Sequence, residues 1–221
     1  MKNAILTVLA IALVPFSAFA VDGVVLINQS TVTAAGGFPY QIKAAGSYKL
    51  SGNLIVTGAT VGIEIDSDDV TIDLNGFRLS GPIVCVGSPP ICSGSSSTGI
   101  LAGNRQNITV KNGTVRGFNR GIELVGTGGS GGLIADVQAS GNSDYGIYGV
   151  EVVIIRCSAN NNGGIGMTVV NGTVSDSLAN RNRYDGFSPY ASTLIHNSAN
   201  GNGRYGIATV NLFSLAARPG N

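Results

Sequence analysis

Asp136, Arg156, Asp176 and His196 recur at a constant interval of twenty residues, which brings carboxylate, guanidinium, carboxylate and imidazole into one periodic position. His196 is the chain's only histidine, and imidazole is the side chain whose ordinary titration suits proton transfer near neutral pH. If a fold stacks the four, their charges alternate in sign at about 5 Å. Two readings follow: an acid-base site with His196 as proton acceptor or donor, or a surface charge ladder in which opposite signs offset the repulsion of stacked like charges.

Other residue types suited to binding are grouped along the chain. Tyr145, Tyr148, Tyr184, Tyr190 and Tyr205 gather late, with Tyr145 and Tyr205 in one periodic position. Aromatic faces suit the C–H surfaces of sugars, so Tyr145, Tyr184 and Tyr205 are the candidate substrate-binding residues; the competing reading is that the rings shield the edges of the coil. The densest acidic cluster is IDSDDVTID, where Asp66, Asp68 and Asp69 could offer oxygens to Ca²⁺. The EF-hand spacing fails there, and a polar turn between strands is the competing reading. Cys85 and Cys92 flank VGSPPI and are expected to close a small disulfide loop, leaving Cys157 as a buried free thiol. GTGGSGG satisfies two glycine-rich patterns, but both require a following helix and LIADVQASGN reads as strand and corner, so Ser130 is a loop serine. The sequons at Asn28, Asn107, Asn112 and Asn171 carry little weight in an asparagine-rich chain.

What positions these residues is the period itself. Gly146, Gly166, Gly186 and Gly206 share a column, followed by Ile147, Met167, Phe187 and Ile207; Ala139, Ala159, Ala179 and Ala199 form another, and Asn142, Asn162, Asn182 and Asn202 a fourth. Self-similarity at this period marks a solenoid. The rows contain short β-favouring runs such as VEVVIIRC and GMTVV between Asn- and Gly-rich turns, which predicts three short strands per row, each paired with the rows above and below. Apolar residues after each Gly should point inward, Ala should mark a narrow wall, and stacked Asn amides should hydrogen-bond as a ladder. Gly62-Ile63, Gly99-Ile100 and Gly121-Ile122 open earlier, less regular rows, and the spacing of 37 between the first two accommodates the cysteine loop.

Composition agrees with an all-β chain: 11% charged residues and 33 glycines in 221 residues. A net charge of +1 implies neither nucleic acid nor an anionic membrane surface as partner. MKNAILTVLAIALVPFSAFA reads as a signal peptide over residues 1–20, so the expected location is secreted or periplasmic; no later run is long enough to span a bilayer. Residues 21–50 are expected to form a lead-in cap and 51–221 the coil, with a loop insertion at 82–98. The chain stops in mid-row with Ala217 and Pro219 still in phase, which leaves two expectations: end-to-end self-association that covers this edge, or a truncated member of a longer family.

The segment YKLSGNLIVTGATVGIEIDSDDVTIDLNGFRLSG, with the Gly-Ile and Asn-rich rows after it, resembles bacterial exported right-handed parallel β-helix repeat proteins of the pectin-lyase-like superfamily. The resemblance implies an all-β, single-stranded right-handed parallel β-helix. Related lyases hold Ca²⁺ with carboxylates and remove a uronate proton with arginine or lysine, roles that would fall to Asp136, Asp176 and Arg156. Of the hydrolase motifs only Asp68-Asp69 is present, and the methylesterase and pectate-lyase signatures are absent. The expectation is therefore a non-catalytic wall that binds a polysaccharide or a surface protein. The alternative is a polysaccharide lyase or C5-epimerase acting on uronates through Asp136, Arg156, Asp176 and His196.

Overall fold

The computed structural model describes residues 23–128, 131–208 and, as backbone, 214–216. The signal peptide, Ser130, Ala217 and Pro219 lie outside the described residues. Short runs of β-branched residues bounded by turn formers become strands of two to nine residues, and outside one antiparallel hairpin they pair in parallel with the equivalent strands of neighbouring turns. The result is a parallel β-solenoid of about eight turns, a right-handed β-helix.

Three walls form each turn. One is a seven-stranded sheet running from Tyr40–Ile42 through Ile63–Ile65, Thr98–Gly103, Arg120–Val125, Ile147–Val150 and Met167–Val170 to Phe187–Tyr190. A second contains Val152–Ile155, Thr173–Ser175 and Thr193–Ile195, and a third Ser158–Asn160, Leu178–Asn180 and Ser198–Asn200. In two earlier turns, Ile108–Arg116 and Gly132–Ser140, single bent strands supply both of these walls. The expected lead-in takes part in the sheets, since Gly46–Leu50 pairs with Val70–Asp73 and Tyr40–Ile42 with Ile63–Ile65. Helix Gln29–Ala34, N-capped by Asn28, buries Val32 in the core at that end.

The core is a set of columns. Ile63, Ile100, Ile122, Ile147, Met167 and Phe187 stack in register and are at most 1% exposed. Each contributes about 1.5–3 kcal/mol by leaving water. Opposite them, Ala159 and Ala179 face the glycine column: a Cβ on Gly146 would lie 2.9 Å from that of Ala159, so the coil is one methyl wide here. Beside both columns runs the inner amide ladder. The Asn162 side-chain oxygen accepts the backbone N–H and the amide of Asn142, and Asn182 and Asn202 repeat the pattern, at 2.9–3.1 Å.

Walls meet at corners with left-handed backbone. One corner column is Asn75, Asn112, Asp136, Arg156, Asp176 and His196, with φ between 49° and 60°. Asn and Asp tolerate this region better than most residues. Asn107 and Asn171 occupy another such corner, so three of the four sequon asparagines serve turn geometry.

Candidate functional site

The periodic column assembles as pairs on the outside of a corner. Arg156 Nε and Nη2 donate to the two carboxylate oxygens of Asp136 at 2.8 and 2.7 Å, and His196 Nδ1 lies 3.5 Å from Asp176 Oδ1. All four side chains are between 41% and 57% exposed. The bidentate hydrogen bond lowers the Asp136 carboxyl below its ordinary value and raises Arg156 above its own. A guanidinium must lose a proton to act as a base, and this pairing moves it the other way. Continuity with Asn75 and Asn112 adds that the position is set first by backbone conformation.

The acidic turn does not gather its oxygens. Asp66 faces Arg105 at 3.6 Å, Asp68 accepts the backbone N–H of Gln106 at 2.9 Å, and Asp69 accepts the side-chain amide of Asn107 at 2.8 Å. Each carboxylate ties its turn to the next. Among the described residues no group of three or more His, Cys, Asp or Glu is placed to hold a metal ion.

The cysteine loop is an antiparallel hairpin of Val84–Val86 and Ile91–Ser93 joined by the Cys85–Cys92 disulfide. Its disulfide end leans on the coil, with Cys92 Sγ 3.8 Å from the Asn142 carbonyl and over Gly163, where a Cβ would meet that sulfur at 2.6 Å. Cys157 is 2% exposed, and burial pushes its thiol up to about 11. A thiol reagent at neutral pH is therefore expected to modify Cys157 only after unfolding; stoichiometric labelling of the native protein would contradict its placement.

The richest constellation lies where the loops from the third wall enter the seven-stranded sheet. Near one end, the Arg120 guanidinium sits over the rings of Tyr145 and Tyr148, 5.3 and 5.4 Å from their centroids, while the two rings are 5.6 Å apart. Arg120 also reaches Glu123 at 2.6 Å and Asp144 at 3.8 Å. Burial raises the Asp144 carboxyl, against the opposing pull of Arg120. Further along, Arg204 spans Tyr184 and Tyr205 at 5.8 and 5.7 Å, and Arg183 lies 6.0 Å from Tyr184.

Asp185 anchors that second cluster. It is fully buried, accepts Arg204 Nε at 2.9 Å and the backbone N–H of Tyr205 at 3.2 Å, and also bonds Arg204 Nη2. Arg204 is thereby held beside two exposed tyrosine rings. Between the clusters Gly163 lies under the cysteine hairpin, where an added Cβ would meet Cys92 Sγ at 2.6 Å. The three expected substrate-binding tyrosines thus share one face, joined by Arg120, Glu123, Asp144, Asp185 and Arg204, which sequence reading did not single out. Arg204 and Tyr205 stand beside the noted Gly206 column, and pairing Arg204 with Tyr184 one row earlier would have exposed the second cluster.

A family model described as right-handed beta helix region matches residues 41–193. No curated protein matches the chain, and no solved structure does. Among the described residues no helix is long and apolar enough to cross a membrane.

Proposed function

Since the chain belongs to the right-handed β-helix family, we propose that it is an exported, non-catalytic protein that binds an extended glycan along its loop face. The observation that supports the reading is the pair of Arg–Tyr clusters. Flat aromatic surfaces stack on sugar rings, and an adjacent guanidinium supplies donors to ring and hydroxyl oxygens. Tyr145 and Tyr205 stand three turns apart, about 14 Å at about 4.8 Å per turn, which spans several sugar units. The exposed corner pairs favour no proton abstraction, because Arg156 is tied to Asp136. Export rests on the leader-like sequence of residues 1–20.

The test is retention on immobilised pectate, alginate, hyaluronan and neutral glucans, with and without Ca²⁺. We expect retention without the ultraviolet absorbance of an unsaturated uronate and without C5 inversion by proton NMR. Tyr184→Ala and Tyr205→Ala are each expected to weaken binding about tenfold, equivalent to about 1.4 kcal/mol, with unfolding unchanged. Turnover abolished by Arg156→Ala would replace this reading with the lyase one.

A further inference from the structure

The third wall carries a groove that differs from the aromatic face. Asn160, Asn161, Asn180, Arg181, Asn200 and Gly201 line it, and no acid does. Ala159 and Ala179 point into the core, so the alternate positions Asn160, Asn180 and Asn200 point outward at one-turn spacing.

The orientation of two of these amides is fixed. The backbone N–H of Asn180 donates to Asn160 Oδ1 at 3.1 Å, and that of Asn200 to Asn180 Oδ1 at 2.8 Å. A backbone N–H can only donate, so the acceptor must be the amide oxygen, which leaves the NH₂ of each groove-lining amide outside this backbone pairing. Neither NH₂ has a partner among the described residues. Arg181 adds the only formal charge of the lining, at a corner with φ 54°. No acid lies within ion-pair distance of it among the described residues.

We propose that this groove binds the oxyanions of an extended anionic glycan, carboxylate or sulfate ester, with Asn160, Asn180 and Arg181 as donors. Fixed donors beside one cation match groups that only accept. Their repeat of about 4.8 Å is close to the advance of one sugar unit in an extended chain. The inference rests on the reading of the chain as a glycan binder and adds a second site and a charge class to it.

Two variants test it with the fold kept. Asn180→Asp retains an oxygen for the Asn200 N–H while replacing the NH₂ by an anionic oxygen. Arg181→Asn places at this corner the residue that occupies it one turn earlier, at Asn161. Binding of dextran sulfate, polygalacturonate, neutral dextran and poly-glutamate is measured by calorimetry at two salt concentrations, with intact fold checked by circular dichroism. The expected result is binding of dextran sulfate or polygalacturonate, whichever source supplies the oxyanion, that weakens with salt and falls at least tenfold in both variants. Unchanged binding in both variants, equal binding of neutral dextran, or equal binding of poly-glutamate overturns the inference. Neutral-glycan binding lost in Tyr184→Ala but insensitive to Arg181→Asn would overturn it while leaving the aromatic face intact; binding of none of the polymers would fail both.

Discussion

Asn182→Ala is expected to cost the folded coil about 3–5 kcal/mol. Asn182 is fully buried, and its oxygen accepts both the backbone N–H and the amide of Asn162 at 3.0 Å. Its own amide donates to the Ala159 carbonyl and to Asn202 Oδ1, both at 3.0 Å. Truncation strands several polar groups at once in a place water does not reach. Each buried group left without a partner costs about 1–3 kcal/mol, and members of a linked network weaken together. Asn180→Ala, two residues away but outward-facing, removes one partly exposed acceptor and is expected to cost under about 1 kcal/mol. Urea unfolding of the two variants checks the contrast. Equal midpoints would show that the ladder is not a source of stability.

The same contrast explains how much could be read from the sequence. The columns of Gly146, Ala159 and Asn142 were legible because each has a steric or hydrogen-bonding requirement that tolerates one residue type, and a strict interval displays it. The binding face was less legible, for two physical reasons. Arg120 meets Thr98 and Tyr145 at intervals of 22 and 25 residues, because the earlier turns differ in loop length, so a search at twenty passes over it. Asp185 shares its column with Tyr145, Ile165 and Tyr205, and nothing in its residue type announces that it is buried beneath Arg204. The column of Asp136, Arg156, Asp176 and His196 was legible as a column yet ambiguous in meaning. Its left-handed backbone selects residues for conformation, and the acids and bases found there pair with each other across turns.

Gly166→Ala is the sharper test of the coil's width, and about 3 kcal/mol of destabilisation is expected from overpacking. The added methyl would lie 2.6 Å from the Gly186 carbonyl oxygen, 2.6 Å from the Asn182 amide nitrogen and 3.0 Å from the Ala179 Cβ. Two of these neighbours are fixed, one as backbone of the adjacent turn and one within the amide ladder. Ala179→Gly removes only the mildest of the three contacts. The double variant is therefore expected to unfold at the sum of the single effects, with a coupling of less than about 0.5 kcal/mol. Gly103→Ala, where a Cβ meets nothing within 4 Å, serves as the neutral control. Full rescue by Ala179→Gly would mean that the carbonyl and the amide can give way, so that this end of the coil is elastic. The loops that carry Tyr184, Asp185 and Arg204 arise from this same narrow end. Tyr184 and Tyr205 keep their spacing to Arg204 only if that end resists widening, so the stability of Gly166→Ala and its glycan affinity should fall together.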